Sequence, residues 1–211
     1  MRVLWVALAV VLADQATKLA VKLQMYPHES IPVVGRLFRL TFTENPGMAF
    51  GLTLGSKLAL TLFSIVATIA IAAYLWAVRR GPLGYRLALA LILGGAFGNI
   101  IDRTFYGAIW GECEPPGTTA HRLLYGCVVD FIHLDVWSGL LPSWLPFVGG
   151  EPFALFPIGN IADLAIIAGV AAILVFQKRF AEHMARQERE AAALAAPVGA
   201  VDEGAPPAAG G

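Results

Sequence analysis

Two aspartates stand where an acid is costly. Asp130 lies in VVDFIHL, residues 128–134, among bulky apolar neighbours. Asp163 lies in FPIGNIADLAI, residues 156–166, a stretch that stays apolar through to Lys178. An ionisable side chain inside a bilayer costs roughly 2.5–3.5 kcal/mol on insertion scales. Two carboxylates sharing one pocket cannot both ionise cheaply, so they hold one proton between them. One can then take a proton from a water while the other donates to a substrate carbonyl, which requires no metal, no cofactor and no covalent intermediate. The order of residues alone leaves open whether Asp130 and Asp163 meet.

No rival chemistry is apparent. His28, His121, His133 and His183 are scattered without HExxH spacing, and no GxSxG is present. Cys113 and Cys127 lack the spacing of a zinc site and are too few for a disulfide framework. They are open to two readings, a bridge across an extracytoplasmic loop or two free thiols.

Further polar residues accompany the two acids. Asp14 and Lys18 are four apart, share a helical face and can pair, with Gln15 beside them; alone they would read as a structural ion pair. In LILGGAFGNIIDR, residues 91–103, Gly94 and Gly98 form a small-xxx-small pair that lets another helix approach closely. Asn99, Asp102 and Arg103 then make one polar stripe; Asp102 and Arg103 alone would read as an ordinary helix-end pair. Asn160 precedes Asp163 on the same helical face.

The elements that must position these groups are membrane spans. The 211 residues are 57% hydrophobic and 14% charged, with a mean hydropathy of +0.67. A soluble domain carries about 25% charged residues, so the chain reads as an all-α, polytopic membrane protein. Its zero formal net charge gives no electrostatic case for nucleic acid. Four apolar stretches, 3–23, 58–78, 83–101 and 156–176, are each near the ~20 residues a crossing helix needs. The first also has some features of a cleaved leader, although Asp14 and Lys18 are foreign to one. Arg79, Arg80 and Arg86 between spans two and three, and Lys178, Arg179, Arg186 and Arg189 after span four, place those regions and both termini in the cytoplasm. The long connections then face outward, and Asp130, Asp163, Asn160, Asn99 and Arg103 come to one depth in the outer leaflet, around a water-accessible pocket.

In the first connection, Phe38, Leu40 and Phe42 alternate with polar residues as in a half-buried strand, followed by a turn at Pro46 and Gly47. The second holds a polar insertion and then Trp137, Trp144 and Phe147 in 135–150, an interfacial helix or loop that either anchors or covers the site. Residues 1–180 form the membrane domain. Residues 181–211 begin as charged helix, turn Ala/Pro/Gly-rich and are expected to be a disordered cytoplasmic tail.

DQATK (14–18), NPGMAFG (45–51), GGAFGNIIDR (94–103), VVDFI (128–132) and NIAD (160–163) occur in this order, and together they resemble lipoprotein signal peptidase, or signal peptidase II, across residues 3–178. The resemblance implies a four-span intramembrane aspartic endopeptidase of the bacterial cytoplasmic membrane. Such an enzyme removes signal peptides from diacylglyceryl-modified prolipoproteins, on the amino side of the lipidated cysteine. It implies Asp130 and Asp163 as the catalytic pair and Asp14, Lys18, Asn45, Gly95, Asn99, Arg103 and Asn160 as supporting or substrate-contacting residues. It further implies a small extracytoplasmic sheet, a mobile helix over the site, membrane lipid as surroundings, a monomer, and inhibition by globomycin. The insertion 106–127 departs from the family pattern and would break the pair if it tilted VVDFI away. A small transporter or proton relay using Asp14, Lys18 and Asp163 is the alternative, against which the absence of an internal repeat weighs; a scaffold with polar glue between helices is a third reading.

Overall fold

The computed structural model describes residues 2–49, 52–53, 56–111, 113, 120–144, 149–150 and 152–195. In chain order the helices are α1 (Leu4–Gln24), α2 (Lys57–Ala77), α3 (Leu83–Ile101), the short α4 (Gly107–Trp110) and α5 (Ile161–Ala195). The strands are β1 (Ser30–Val34), β2 (Phe38–Asn45), β3 (Met48–Ala49), β4 (Leu52–Thr53), β5 (Val128–Leu134), β6 (Ser138–Leu140) and β7 (Pro152–Ala154). Four helical stretches are long and apolar enough to cross a membrane: Leu4–Gln24, Lys57–Ala77, Leu83–Trp110 and Ile161–Gln187. Large apolar side chains such as Leu12, Phe63 and Val175 stand on their outward faces, as lipid-facing helices require.

Packing centres on α3, which touches α1, α2 and α5. Small residues make this possible. A Cβ on Gly94 would lie 2.8 Å from the Ala7 carbonyl of α1, and one on Gly98 would lie 2.6 Å from Asp14 Oδ2 and 3.3 Å from Ala162 of α5. Gly95 abuts the Ala162 carbonyl, so α5 approaches α3 along its backbone.

The bundle has two distinct ends. At one, Val3, Ala7, Leu75, Val78, Leu89 and Ala90 form a core against which Ile173 and Met184 pack, and Tyr85 meets Phe180 edge-on. The basic α2–α3 link and the late turns of α5 therefore lie together. At the other end, Val21, Phe42, Tyr106, Val129 and Phe131 pack beneath a three-stranded antiparallel sheet of order β1–β2–β5. Phe42 is the buried member of the Phe38–Leu40–Phe42 alternation.

Two spans differ from the sequence boundaries. The last helix begins at Ile161, because residues 156–160 are non-helical and Gly159 bridges to Ile132 of β5. It then continues to Ala195, so the expected disordered tail is helical over 181–195; residues 196–211 lie outside the described residues. Segment 135–150 contributes β6, paired with β7, and non-helical turns instead of a helix in its described residues, with Trp137 tilted against Phe153 at 6.2 Å between ring centroids. Phe147 and most of 111–119 lie outside the described residues. Cys113 and Cys127 are paired, their Cα atoms 6.1 Å apart.

Candidate active site

NIAD is a reciprocal helix cap. Asn160 Oδ1 accepts the Asp163 backbone N–H at 2.9 Å, and Asp163 Oδ2 accepts the Asn160 N–H at 3.2 Å. This is the capping-box arrangement, built with Asn and Asp, and it explains why α5 starts here and not at Phe156. A third N–H of the first turn, that of Ala162, is taken by Asp14 Oδ1 at 2.9 Å. The positive end of the α5 dipole thus meets two carboxylates, one from its own chain turn and one from α1.

Asp14 belongs to a fully buried cluster. Lys18 Nζ lies 2.8 Å from both Asp14 Oδ2 and Asp102 Oδ2 and donates to Asn99 Oδ1 at 2.9 Å, which accounts for all three ammonium protons. Gln15 Nε2 donates to Asp102 Oδ1 at 2.9 Å and to the Gly98 carbonyl at 3.1 Å, and Tyr106 OH donates to Gln15 Oε1 at 3.2 Å. Removing any charged member would strand its partners without water, at a cost of roughly 3–5 kcal/mol.

The cluster sets the orientation of Asn99. With its oxygen fixed by Lys18, its amide nitrogen must point the other way, and it donates to Asp163 Oδ1 at 2.8 Å. Asn160 is 0% exposed and ties the remaining pieces together. Its amide nitrogen donates to Asp130 Oδ1 at 2.7 Å, to Asn99 Oδ1 at 3.1 Å and to the Val129 carbonyl at 3.2 Å. Asn160 therefore bonds both carboxylates, that of Asp130 through its side-chain amide and that of Asp163 through its backbone N–H.

Asp130 arrives on β5, paired with Thr43 of β2 immediately after an irregularity between Leu40 and Thr43. Bulges re-aim side chains in this way and are common beside active sites. Asn45, on the same face of β2 as Thr43, hydrogen-bonds the Asp130 carboxylate. Asp130 is 2% exposed. Burial first, and then the charge of Asp163, push its pKa up from 3.8 to about 7, against the hydrogen bond from Asn45, the charge of Lys18 and the hydrogen bond from Asn160.

Arg103 interacts electrostatically with Asp130, Asp102 and Asp163. It sits in a π-helical turn, Asp102–Tyr106, that interrupts the run from α3 to α4. Such turns widen the helix and recur at functional sites. Its guanidinium reaches the β2–β3 turn: a Cβ on Gly47, where φ is +111°, would lie 3.3 Å from Nη1. Beside Asn160 and Asp163 opens an apolar cavity of about 340 Å³, with Ile132, Leu134, Phe156 and Ile158 on one side and Ile166 and Ile167 on the other.

Every site residue expected from the sequence converges on this one end of the bundle, except that Gly95 packs helices and touches neither acid. Asp102 and Arg103, neighbours in one polar stripe of the sequence, take different partners. Asp102 turns inward to Lys18, to Gln15 and to the Val129 N–H at 3.2 Å, while Arg103 faces the two acids. Gln15 and Asp102, noted in the sequence but not placed among the site residues, and Tyr106, which the sequence did not single out, join this cluster.

Fold and site define a polytopic membrane protein that gathers two aspartates at one end of its helix bundle. Comparison with known families is specific: residues 6–178 match the model for signal peptidase (SPase) II, and the chain belongs to that family, a family of membrane proteases. It is 40% identical over 194 residues to a lipoprotein signal peptidase of Amoebophilus asiaticus, covering 88% of this chain and 81% of that one. It is 42% identical over 177 residues to one of Porphyromonas gingivalis, covering 79% and 78%. Among solved structures it resembles a bacterial membrane enzyme determined by the in meso method at 2.3 Å resolution, with a TM-score of 0.59 and 27% identity over 84% of this chain and 88% of that one.

Proposed function

We propose that the protein is an intramembrane aspartic endopeptidase that removes the signal peptide from diacylglyceryl-modified prolipoproteins, cutting on the amino side of the lipidated cysteine. One observation carries this reading: Asn160 donates its side-chain amide to the Asp130 carboxylate and its backbone N–H to the Asp163 carboxylate, which holds the two acids at one site where the charge of Asp163 bears on Asp130. Asp130, with its raised pKa, carries the shared proton. Asp163 takes a proton from a water held between them as the water oxygen attacks the scissile carbonyl carbon, and Asp130 protonates the carbonyl oxygen. Collapse of the resulting diol breaks the C–N bond, and the cysteine amine leaves with the proton that Asp163 gained. Asn99, Asn45 and Asn160 hold the acids. Arg103 supplies the positive charge beside a pair that carries one negative charge, and Asp14 and Lys18 support Asn99 and the α5 start. The apolar cavity beside Asp163 suits a lipid-bearing, apolar substrate.

The basic end of the bundle faces the cytoplasm by the positive-inside rule, which puts both termini there and the acids at the outer face of the bacterial cytoplasmic membrane. The paired cysteines, at the acid end, fit that oxidising side. The enzyme works as a monomer and is inhibited by globomycin-type peptides.

The test is cleavage of a lipobox peptide carrying diacylglyceryl-cysteine by purified Asp130→Asn and Asp163→Asn variants in detergent. Each substitution is expected to lower kcat by at least ~10³-fold with the fold intact, by analogy with loss of one member of a catalytic set. Near-normal cleavage by either variant removes that residue from the pair.

A further inference from the structure

The returning arm of the second outward connection, residues 120–130, is held tightly against the π-helical turn. The arm bonds two carbonyls of that turn: Gly126 N–H donates to the Arg103 carbonyl at 3.0 Å and Leu124 N–H to the Thr104 carbonyl at 2.9 Å. Arg122 N–H bonds the Gly107 carbonyl at 3.2 Å, and Thr61 Oγ1 of α2 donates to the Leu124 carbonyl at 3.1 Å. Gly126 lies so close that any Cβ would run into the Asp102 carbonyl, and a Cβ on Gly107 would sit 2.6 Å from the Arg122 carbonyl. The chain then enters β5 through Cys127, which is 4% exposed and bonded to Cys113, just beyond the end of α4. Val129 N–H caps Asp102, and Asp130 follows.

From this arrangement we propose that the Cys113–Cys127 crosslink positions Asp130, so that full catalytic turnover requires the oxidised form of this chain. The proposal rests on the peptidase reading above. Asp130 lies three residues from a covalent tie whose other end follows the helix carrying Arg103. With the bridge closed, the entry of β5 is tied covalently to the segment just after α4, besides its hydrogen bonds to the π-helical turn and to Gly107. Opened, the arm keeps only its hydrogen bonds, and Asp130 loses a constraint that a pair of acids acting on one water needs to within about half an ångström. Formation of the bond removes two protons and two electrons from the two thiols. A disulfide-bearing thiol oxidant at that membrane face takes them and becomes a dithiol.

The experiment compares three preparations in detergent with the diacylglyceryl-cysteine lipobox peptide: oxidised wild type, wild type reduced with a phosphine after folding, and Cys113→Ser/Cys127→Ser. Mass spectrometry verifies each thiol state, and kcat is expressed per folded molecule well below Tm. Reduction and the double substitution are each expected to lower kcat by ~10-fold or more while KM stays within about two-fold, since small misplacement of a reacting group can cost up to ~10²-fold. Reoxidation of the reduced wild type restores kcat, and the phosphine leaves the double variant unchanged. A kcat per folded molecule within two-fold of oxidised wild type in the reduced protein would overturn the inference, even if Tm fell. Because that arm starts from folded protein, a double variant that failed to fold would not obscure the outcome. Absence of cleavage by oxidised wild type would instead overturn the peptidase reading itself.

Discussion

Asp130 makes the native state less stable as pH rises, and Asp130→Asn should abolish that dependence. Its pKa is raised from 3.8 to about 7, chiefly by burial and then by Asp163. Between those values the folded protein binds more protons than the unfolded chain, so stability falls as pH increases through the interval and levels off above about 7. The full span corresponds to about 4 kcal/mol at 1.36 kcal/mol per tenfold change, of which roughly 2–3 kcal/mol falls between pH 5 and pH 8. For a chain of this size that is a fall in Tm on the order of 5–10 °C. The amide that replaces the carboxyl has no proton to lose. Thermal unfolding of both proteins in the same detergent, followed by tryptophan fluorescence at pH 5 and pH 8, measures the effect as a difference of differences. The variant is expected to gain on wild type by roughly 5–10 °C from pH 5 to pH 8. A Tm gap that stays constant across that range would refute the claim that burial and the neighbouring acid raise Asp130.

Two further substitutions probe the support of the pair. Lys18→Met leaves Asp14 and Asp102 facing each other without water or a cation and is expected to cost about 3–5 kcal/mol, visible as a large drop in Tm; an unchanged Tm would mean the cluster is not ion-paired. Asn160→Ala removes both the cap on α5 and the bond to Asp130. It should lower stability by about 1–2 kcal/mol and kcat/KM by up to ~10²-fold, so normal kinetics in this variant would deny Asn160 its bridging role.

Much of the architecture was legible because membranes restrict the options. Apolar length found the four helices, and period-two alternation found β2, since both depend on local composition. The start of α5 was misjudged because hydropathy sees FPIG as part of the span, whereas the signal that decides it is N-x-x-D, a cap readable from Asn160 and Asp163 alone. Asp102 was visible as part of a polar stripe, but that its partner is Lys18 of α1 while Arg103 serves the acids depends on contacts between elements. Which partners meet across α1, α3, β5 and α5 is a matter of packing that spacing cannot express, and so the convergence on Asn160 required coordinates.

A double-mutant cycle on cleavage is the most direct measurement: single-turnover rates for wild type, Asp130→Asn, Asp163→Asn and the double variant on the diacylglyceryl-cysteine peptide. Acids that share one proton and one water act as a unit, so the double variant should be no slower than the slower single one. Losses that multiply, or substantial cleavage by a protein lacking both carboxylates, would contradict the shared-proton mechanism.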